Sequence, residues 1–323
     1  PPHQRRDQAS ERSATGCYTE TVLCVVGDLV EDVVVRTIGP PARGTDNVAV
    51  IERRRGGSAA NVAVAAARAG CPTRFIGRVG DDPLGGHLID ELADAEVDAR
   101  LQSGRGRTGS VVVLVDEHGE RTMFPDRAAS VDLANVDASW LDGVTVLHLP
   151  SYSLCAEPIG TTARALCRHV RSAWGQVSLD VSSETVVREY GQAAFVELVH
   201  ALAPDVVFAN EPEAALVREA RVSLLVVKHG REAVELVHAD GRTDHVPVDP
   251  IDAAGDTTGA GDAFAGGYLA AMAGGSPPSA AAAAGAVAAA NLLRERASGP
   301  TAHAGARVGE RTGRREQRVT ATE

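Results

Sequence analysis

Apolar positions along this chain fall into short continuous runs that alternate with stretches of helical spacing. The run Thr21–Val26 (TVLCVV) is unbroken, as in strands covered on both faces, and Gly27-Asp28 ends it. Within residues 33–54, VVVRT and NVAVIERR flank the loop IGPPARGTD and predict antiparallel strands around a Pro/Gly turn. RRGGSAANVAVAAARAG then changes to helical spacing, with Ser58 as the expected N-cap and Gly70 as the stop. TRFIGRV predicts a strand, PLGGHLIDELADA a helix, and SVVVLVDEHGERTMF a hairpin around His118-Gly119. VTVLHL, QVSLDV, DVVFAN and SLLVVKHG read as further strands, and residues 158–173, 262–274 and 279–296 as helices. Strands alternating with helices imply parallel pairing and a layered α/β fold. The antiparallel pieces at 33–54 and 98–124 fit that sheet poorly and are expected to form a small sheet of their own. Residues 1–20 read as a disordered N-terminal segment and 299–323 as a flexible tail, because neither carries apolar periodicity.

Composition narrows the class. The chain has 323 residues, 44% of them hydrophobic and only 3% aromatic, so the core must be built from Val, Leu and Ala. A net charge of −11 provides no general attraction to nucleic acid. The most apolar stretch, Ala280–Leu293, is dominated by alanine and lies between Pro277-Pro278 and Arg294, which suits a buried helix better than a membrane span. The first twenty residues contain no secretory h-region, so a cytoplasmic protein without a membrane partner is expected. Five cysteines without a C-x-x-C support neither a zinc ribbon nor a disulfide framework.

Candidate chemistry concentrates in one stretch. The G-x-G-x-x-G at Gly104, Gly106 and Gly109 precedes a strand rather than a helix, so it does not read as a dinucleotide site. No P-loop pattern occurs. In D-T-T-G-A-G-D, Asp256 to Asp262, small residues stand just before a predicted helix start. The first N–H groups of a helix lack intrahelical partners and favour an anion, and glycine lets a phosphate approach them. Asp262 would repel a phosphate at rest, so it needs another purpose, such as taking a proton from an attacking hydroxyl. The other reading is a carboxylate that only caps the helix.

DTTGAGDAFAGG resembles the C-terminal signature of the ribokinase-like (PfkB) family of carbohydrate kinases. Gly56-Gly57-Ser58-Ala59-Ala60-Asn61 resembles the family's Gly-Gly-x-x-x-Asn helix entry, and Asn210-Glu211-Pro212-Glu213 its N-x-x-E. The resemblance covers roughly 21–298 and implies a three-layer α/β/α sandwich with a small β-sheet lid. It implies an ATP-dependent kinase acting on a sugar hydroxyl. A nucleoside kinase, or a catalytically weak sugar- or nucleotide-sensing member, are the alternatives. By resemblance, Asp262 is the catalytic base, and Gly259, Ala260 and Gly261 form the anion hole. Asp32, Gly57 and Asn61 hold the sugar, with Asp28 as a further candidate. Lys228 and Gly230 border the nucleotide, and Asn210 and Glu213 organise Mg2+ through water. Some family members bind a monovalent cation, and Asp256 and Thr258 fall where its ligands would stand, which leaves K+ open. A homodimer paired through the lid is also a family-level expectation. The chain departs from the family in the short 213–224 segment, in Ala233, and in Ala128-Ala129-Ser130.

Overall fold

The computed structural model describes residues 21–116, 120–249 and 257–298. The first half carries β1 (Val22–Val26), β2 (Val30–Thr37), β3 (Ala49–Gly56), α1 (Ser58–Arg68), β4 (Thr73–Gly80) and α2 (Pro83–Asp94). It continues through β5 (Asp98–Gly104), β6 (Gly109–Val115), β7 (Arg121–Asp126), β8 (Val144–Pro150) and α3 (Ile159–Ser172). The second half carries β9 (Gln176–Asp180), α4 (Glu184–Tyr190), α5 (Gln192–Leu202), β10 (Val206–Asn210), α6 (Glu211–Val217) and β11 (Leu224–Lys228). An edge hairpin, β12 (Ala233–His238) and β13 (Thr243–Pro247), leads to α7 (Ala260–Ala273) and α8 (Pro278–Ser298).

Nine strands form one sheet in the order β13-β12-β11-β10-β9-β8-β1-β4-β5, and four form a second, β3-β2-β6-β7. The large sheet is parallel from β5 to β11 and antiparallel at β12 and β13. Its central strands, β1 and β8 to β11, are buried on both faces because helices cover both. Along β1, Leu23 and Val25 enter one core with α1, α2, α7 and α8, whereas Cys24 and Val26 enter the other with α3, α5 and α6. Chain order reverses between β1 and β8. In open α/β sheets that reversal leaves a crevice beyond the strand ends, where ligands bind.

Several expectations need correction. The segment 98–124 does not belong wholly to the small sheet: β5 pairs in parallel with β4 in the large one, and only β6 and β7 join β2 and β3. Ser58 is not the N-cap of α1; Gly57 occupies that position with φ 96°, and no side chain caps the helix. The hairpin turn at His118-Gly119 and both chain ends lie outside the described residues. α4, α5 and the β12–β13 hairpin have no counterpart in the pattern read above. Gly191, with φ 97°, breaks 184–202 into two short helices and so interrupts the helical period.

One packing feature positions the site. A Cβ on Gly266 of α7 would stand 2.6 Å from the Ala65 Cβ and 2.7 Å from the Val62 carbonyl of α1. The bare backbone lets the two helices cross in close contact, which brings the start of α1 against the start of α7. On the outer face of the small sheet, Phe124, Val112 and Val33 form one row, and Leu114, Val35 and Ile51 a second. Phe124, Val112 and Ile51 are exposed.

Candidate active site

A cavity of about 830 Å³ opens beyond the carboxyl ends of β1, β8, β9, β10 and β11, with the small sheet on its far side. Every candidate site residue among the described residues lines it: Asp28, Asp32, Gly57, Asn61, Asn210, Glu213, Lys228, Gly230, Thr258 and Gly259 to Asp262. Asp256 lies outside the described residues.

At the centre, Gly259 caps α7 with φ 75°, a left-handed conformation that glycine adopts without strain. The Ala260 N–H donates to the Thr257 carbonyl at 3.2 Å, so the helix start presents the N–H groups of Gly261 and Asp262 to the cavity. Asp262 sits in the first turn, half-buried, with its open edge on the cavity. Ser58 Oγ donates to its Oδ1 at 2.8 Å and Asn61 Nδ2 to its Oδ2 at 2.9 Å. Burial pushes the Asp262 carboxyl above the usual carboxylate range, and these two donors only partly offset it. A carboxylate held by two donors yet raised by burial is suited to accepting a proton.

The acceptor end is built around two aspartates with different partners. Asp28 is buried, and Arg127 grips it with both ends of its fork, Nε to Oδ2 at 2.6 Å and Nη2 to Oδ1 at 2.8 Å. Arg127 also donates to the Tyr152 carbonyl at 2.9 Å, with its guanidinium 5.9 Å from the Tyr152 ring. Asp28 is thereby committed to Arg127. Asp32, from β2, lies 3.8 Å from Arg54 Nε. A Cβ on Gly56 would collide with the Asp32 carboxylate at 2.0 Å, and one on Gly57 with the Asp28 carbonyl at 2.2 Å. The paired glycines are what allow both aspartates to stand here. Sequence reasoning missed Arg127, which follows β7 and carries no motif, whereas Tyr152 stands in the short 3-10 turn Ser151–Ser153 after β8.

On the donor side, Asn210 and Glu213 form a reciprocal capping box. The Asn210 side chain accepts from the Glu213 N–H, and Glu213 Oε2 accepts from the Asn210 N–H, both at 2.9 Å. Burial raises the Glu213 carboxyl, and nearby Asp180 adds to that. Two arginines meet Thr258: Arg121 of β7 donates to its hydroxyl at 2.6 Å, and Arg296 of α8 to its carbonyl. Gly104 ends β5 and Gly109 begins β6, so the G-x-G-x-x-G joins two strands and starts no helix.

The model of the pfkB family of carbohydrate kinases matches residues 20–304. This chain belongs to the pfkB family of carbohydrate kinases. A fructokinase of Klebsiella pneumoniae is 37% identical over 238 residues, which is 68% of this chain and 76% of that one. Among solved structures, adenosine kinase from Sinorhizobium meliloti superposes with a TM-score of 0.74 at 24% identity, covering 84% of this chain and 93% of that one. A protein described as a ribokinase II of E. coli, solved with ATP and Mg2+, gives a TM-score of 0.69 at 24% identity, covering 81% and 89%. At that identity the likeness shows the fold, which is ribokinase-like.

Proposed function

We propose that this pfkB-family kinase transfers the γ-phosphoryl group of ATP to a primary hydroxyl of a sugar. The observation that carries the reading is the Asp262 carboxylate at the start of α7, oriented by Ser58 and Asn61 and raised by burial. Asp262 takes the proton of the sugar hydroxyl as its oxygen bonds to the γ-phosphorus. The bond from that phosphorus to the bridging oxygen breaks, and ADP leaves. The backbone at Gly259 to Gly261 faces the charge that spreads over the phosphoryl oxygens. Asp32, Asn61 and the backbone of Gly57 meet the sugar hydroxyls as acceptors and donors. Gly230 borders the nucleotide.

The residues present fit Mg2+. Glu213 is a buried carboxylate made harder to ionise by burial and by Asp180, and a cation would relieve that cost. Among the described residues no three His, Cys, Asp or Glu side chains stand close enough to hold a metal themselves. Asn210 and Glu213 would therefore hold the ion through water, and bound Mg2+ supplies charge neutralisation between phosphate oxygens. Potassium enters this reading only as a competitor at Thr258, whose oxygens already accept from Arg121 and Arg296.

The test is an ATP-coupled screen over free sugars and nucleosides, run on the native chain and on Asp262→Asn. Fructose heads the panel because the Klebsiella relative is a fructokinase. The native chain should turn over a sugar, and Asp262→Asn should lose about 10²–10⁴-fold in kcat while still binding that sugar. Turnover of nucleosides alone would replace the acceptor class, and near-native kcat in the variant would sink Asp262 as the base.

A further inference from the structure

Lys228 stands where the acids of the site converge. It ends β11, in register with Asn210 at the end of β10. On the other side of β10, Asp180 ends β9, in register with Phe208. The two side chains meet past the end of β10, Lys228 Nζ donating to Asp180 Oδ2 at 3.0 Å. Asp180 is 4% exposed, and its Oδ1 accepts from the Ser182 N–H at 2.7 Å and the Ser182 hydroxyl at 3.2 Å, which fix the carboxylate from behind.

The other side of the ammonium faces the anion-hole loop. A Cβ placed on Gly261 would stand 3.3 Å from Lys228 Nζ, so the lysine reaches from a buried acid to the backbone of that loop. Burial alone would favour the neutral amine. Asp180 on β9, Glu213 on α6 and Asp262 on α7 outweigh it and hold the lysine above its ordinary value. His148 on β8 lies in the same field, and burial pulls it down to about 4, so it adds no competing charge at neutral pH.

This arrangement answers a difficulty in the site. A carboxylate base in the first turn of α7 repels the anion that the same turn attracts. We propose that Lys228 is a catalytic residue of the transfer step, setting its ammonium against the phosphoryl oxygens beside Gly261, and that Asp180 positions it there. This rests on the reading of Asp262 and Gly259 to Gly261 as the transfer site. The role goes beyond bordering the nucleotide: the lysine neutralises charge that is greatest midway between donor and acceptor. An ion pair that served only the fold would not need its cation on the cavity wall.

The experiment compares Lys228→Met, Lys228→Arg, Asp180→Asn and Asp180→Glu with Asp262→Asn. It reads steady-state kinetics together with thermal shift on MgADP, with and without aluminium fluoride and sugar. Aluminium fluoride stands in for the phosphoryl group in flight. Lys228→Met should lose about 10²–10³-fold in kcat with KM for the sugar within about three-fold of native. It should keep the MgADP shift and lose the increment that aluminium fluoride adds. Lys228→Arg and Asp180→Glu should recover part of both readouts, and Asp180→Asn should fall between them and Lys228→Met. Native-like kcat in Lys228→Met overturns the proposal. So does a loss of the MgADP shift equal to the loss of the fluoride increment, which would mark a ground-state nucleotide contact. Turnover by Asp262→Asn instead overturns the underlying transfer-site reading, so the two failures are distinguishable.

Discussion

The floor and the lid of the cavity are built by opposite means. The floor consists of strand ends and a helix start: Asp180, Asn210 and Lys228 finish parallel strands, and Gly259 to Asp262 open α7. Those strands are buried on both faces, so each side chain leaves a fixed backbone. The lid is a four-stranded sheet whose edge strand β7 is exposed along its whole length. Polar ties connect it to the floor, with Arg121 reaching Thr258 from β7 and Arg127, just beyond β7, reaching Asp28. The contrast sets the candidate chemistry on buried strand ends and a helix start, and puts an exposed strand across the mouth of the cavity.

Breaking the joint between these regions should have the largest effect. Gly57 connects β3 of the lid to α1, which carries Ser58 and Asn61. At φ 96°, with a Cβ 2.2 Å from the Asp28 carbonyl, Gly57→Val strains the backbone and displaces Asp28 and the start of α1. kcat/KM for the sugar should fall by more than about 10²-fold, since misplacement by about 1 Å has that cost. Melting should show a loss of about 1–3 kcal/mol from the forced conformation. Retained kcat/KM would mean that lid and floor are not geared through this residue.

The same contrast explains what the sequence made legible. Floor residues sit at glycine turns and strand ends, where a short local pattern dictates backbone geometry, so DTTGAGD could be read from spacing as an anion-binding helix start, whereas the GGSAAN entry was legible as a site only through its resemblance to the family's motif. The large sheet was legible because continuous apolar runs have few other uses. Arg127 was not, because its role depends on a loop returning to Asp28 across 99 residues of sequence. β5 was misplaced for a related reason. Its burial alternates as an edge strand's does, and nothing local says which sheet it joins. Ser58 had the composition of a cap, but the close crossing at Gly266 draws its hydroxyl to Asp262 instead.

A smaller effect separates closure from chemistry. Arg121→Ala removes the lid's donor to Thr258 at an exposed position, where such contacts contribute about 0.2–1 kcal/mol. KM for the sugar should rise by no more than about five-fold, with kcat and melting temperature near native. On the reading that this sheet excludes water during transfer, the ratio of ADP formed to sugar phosphate formed should rise above that of the native chain. An unchanged ratio would mean that Arg121 does not hold the lid shut.

The smallest effect is on the fixed side, and its direction is set by charge. A carboxylate base must be ionised, so on the proposed role of Asp262 kcat/KM should fall as pH drops through its raised value, above the usual carboxylate range. Burial favours the protonated form, whereas the Ser58 hydroxyl favours the ionised one. Ser58→Ala removes that donor, so the acid limb of kcat/KM should move to higher pH, with the rate well above the limb within about three-fold of native. Melting temperature supplies the control. An N-cap serine replaced by alanine costs about 1 kcal/mol, but Ser58 lies inside α1 with its side chain turned to Asp262, and alanine is a good helix former. Stability should therefore hold while the limb moves. A limb that stays in place while the protein loses stability would return Ser58 to the capping role its sequence suggests and leave Asn61 as the donor that orients the base.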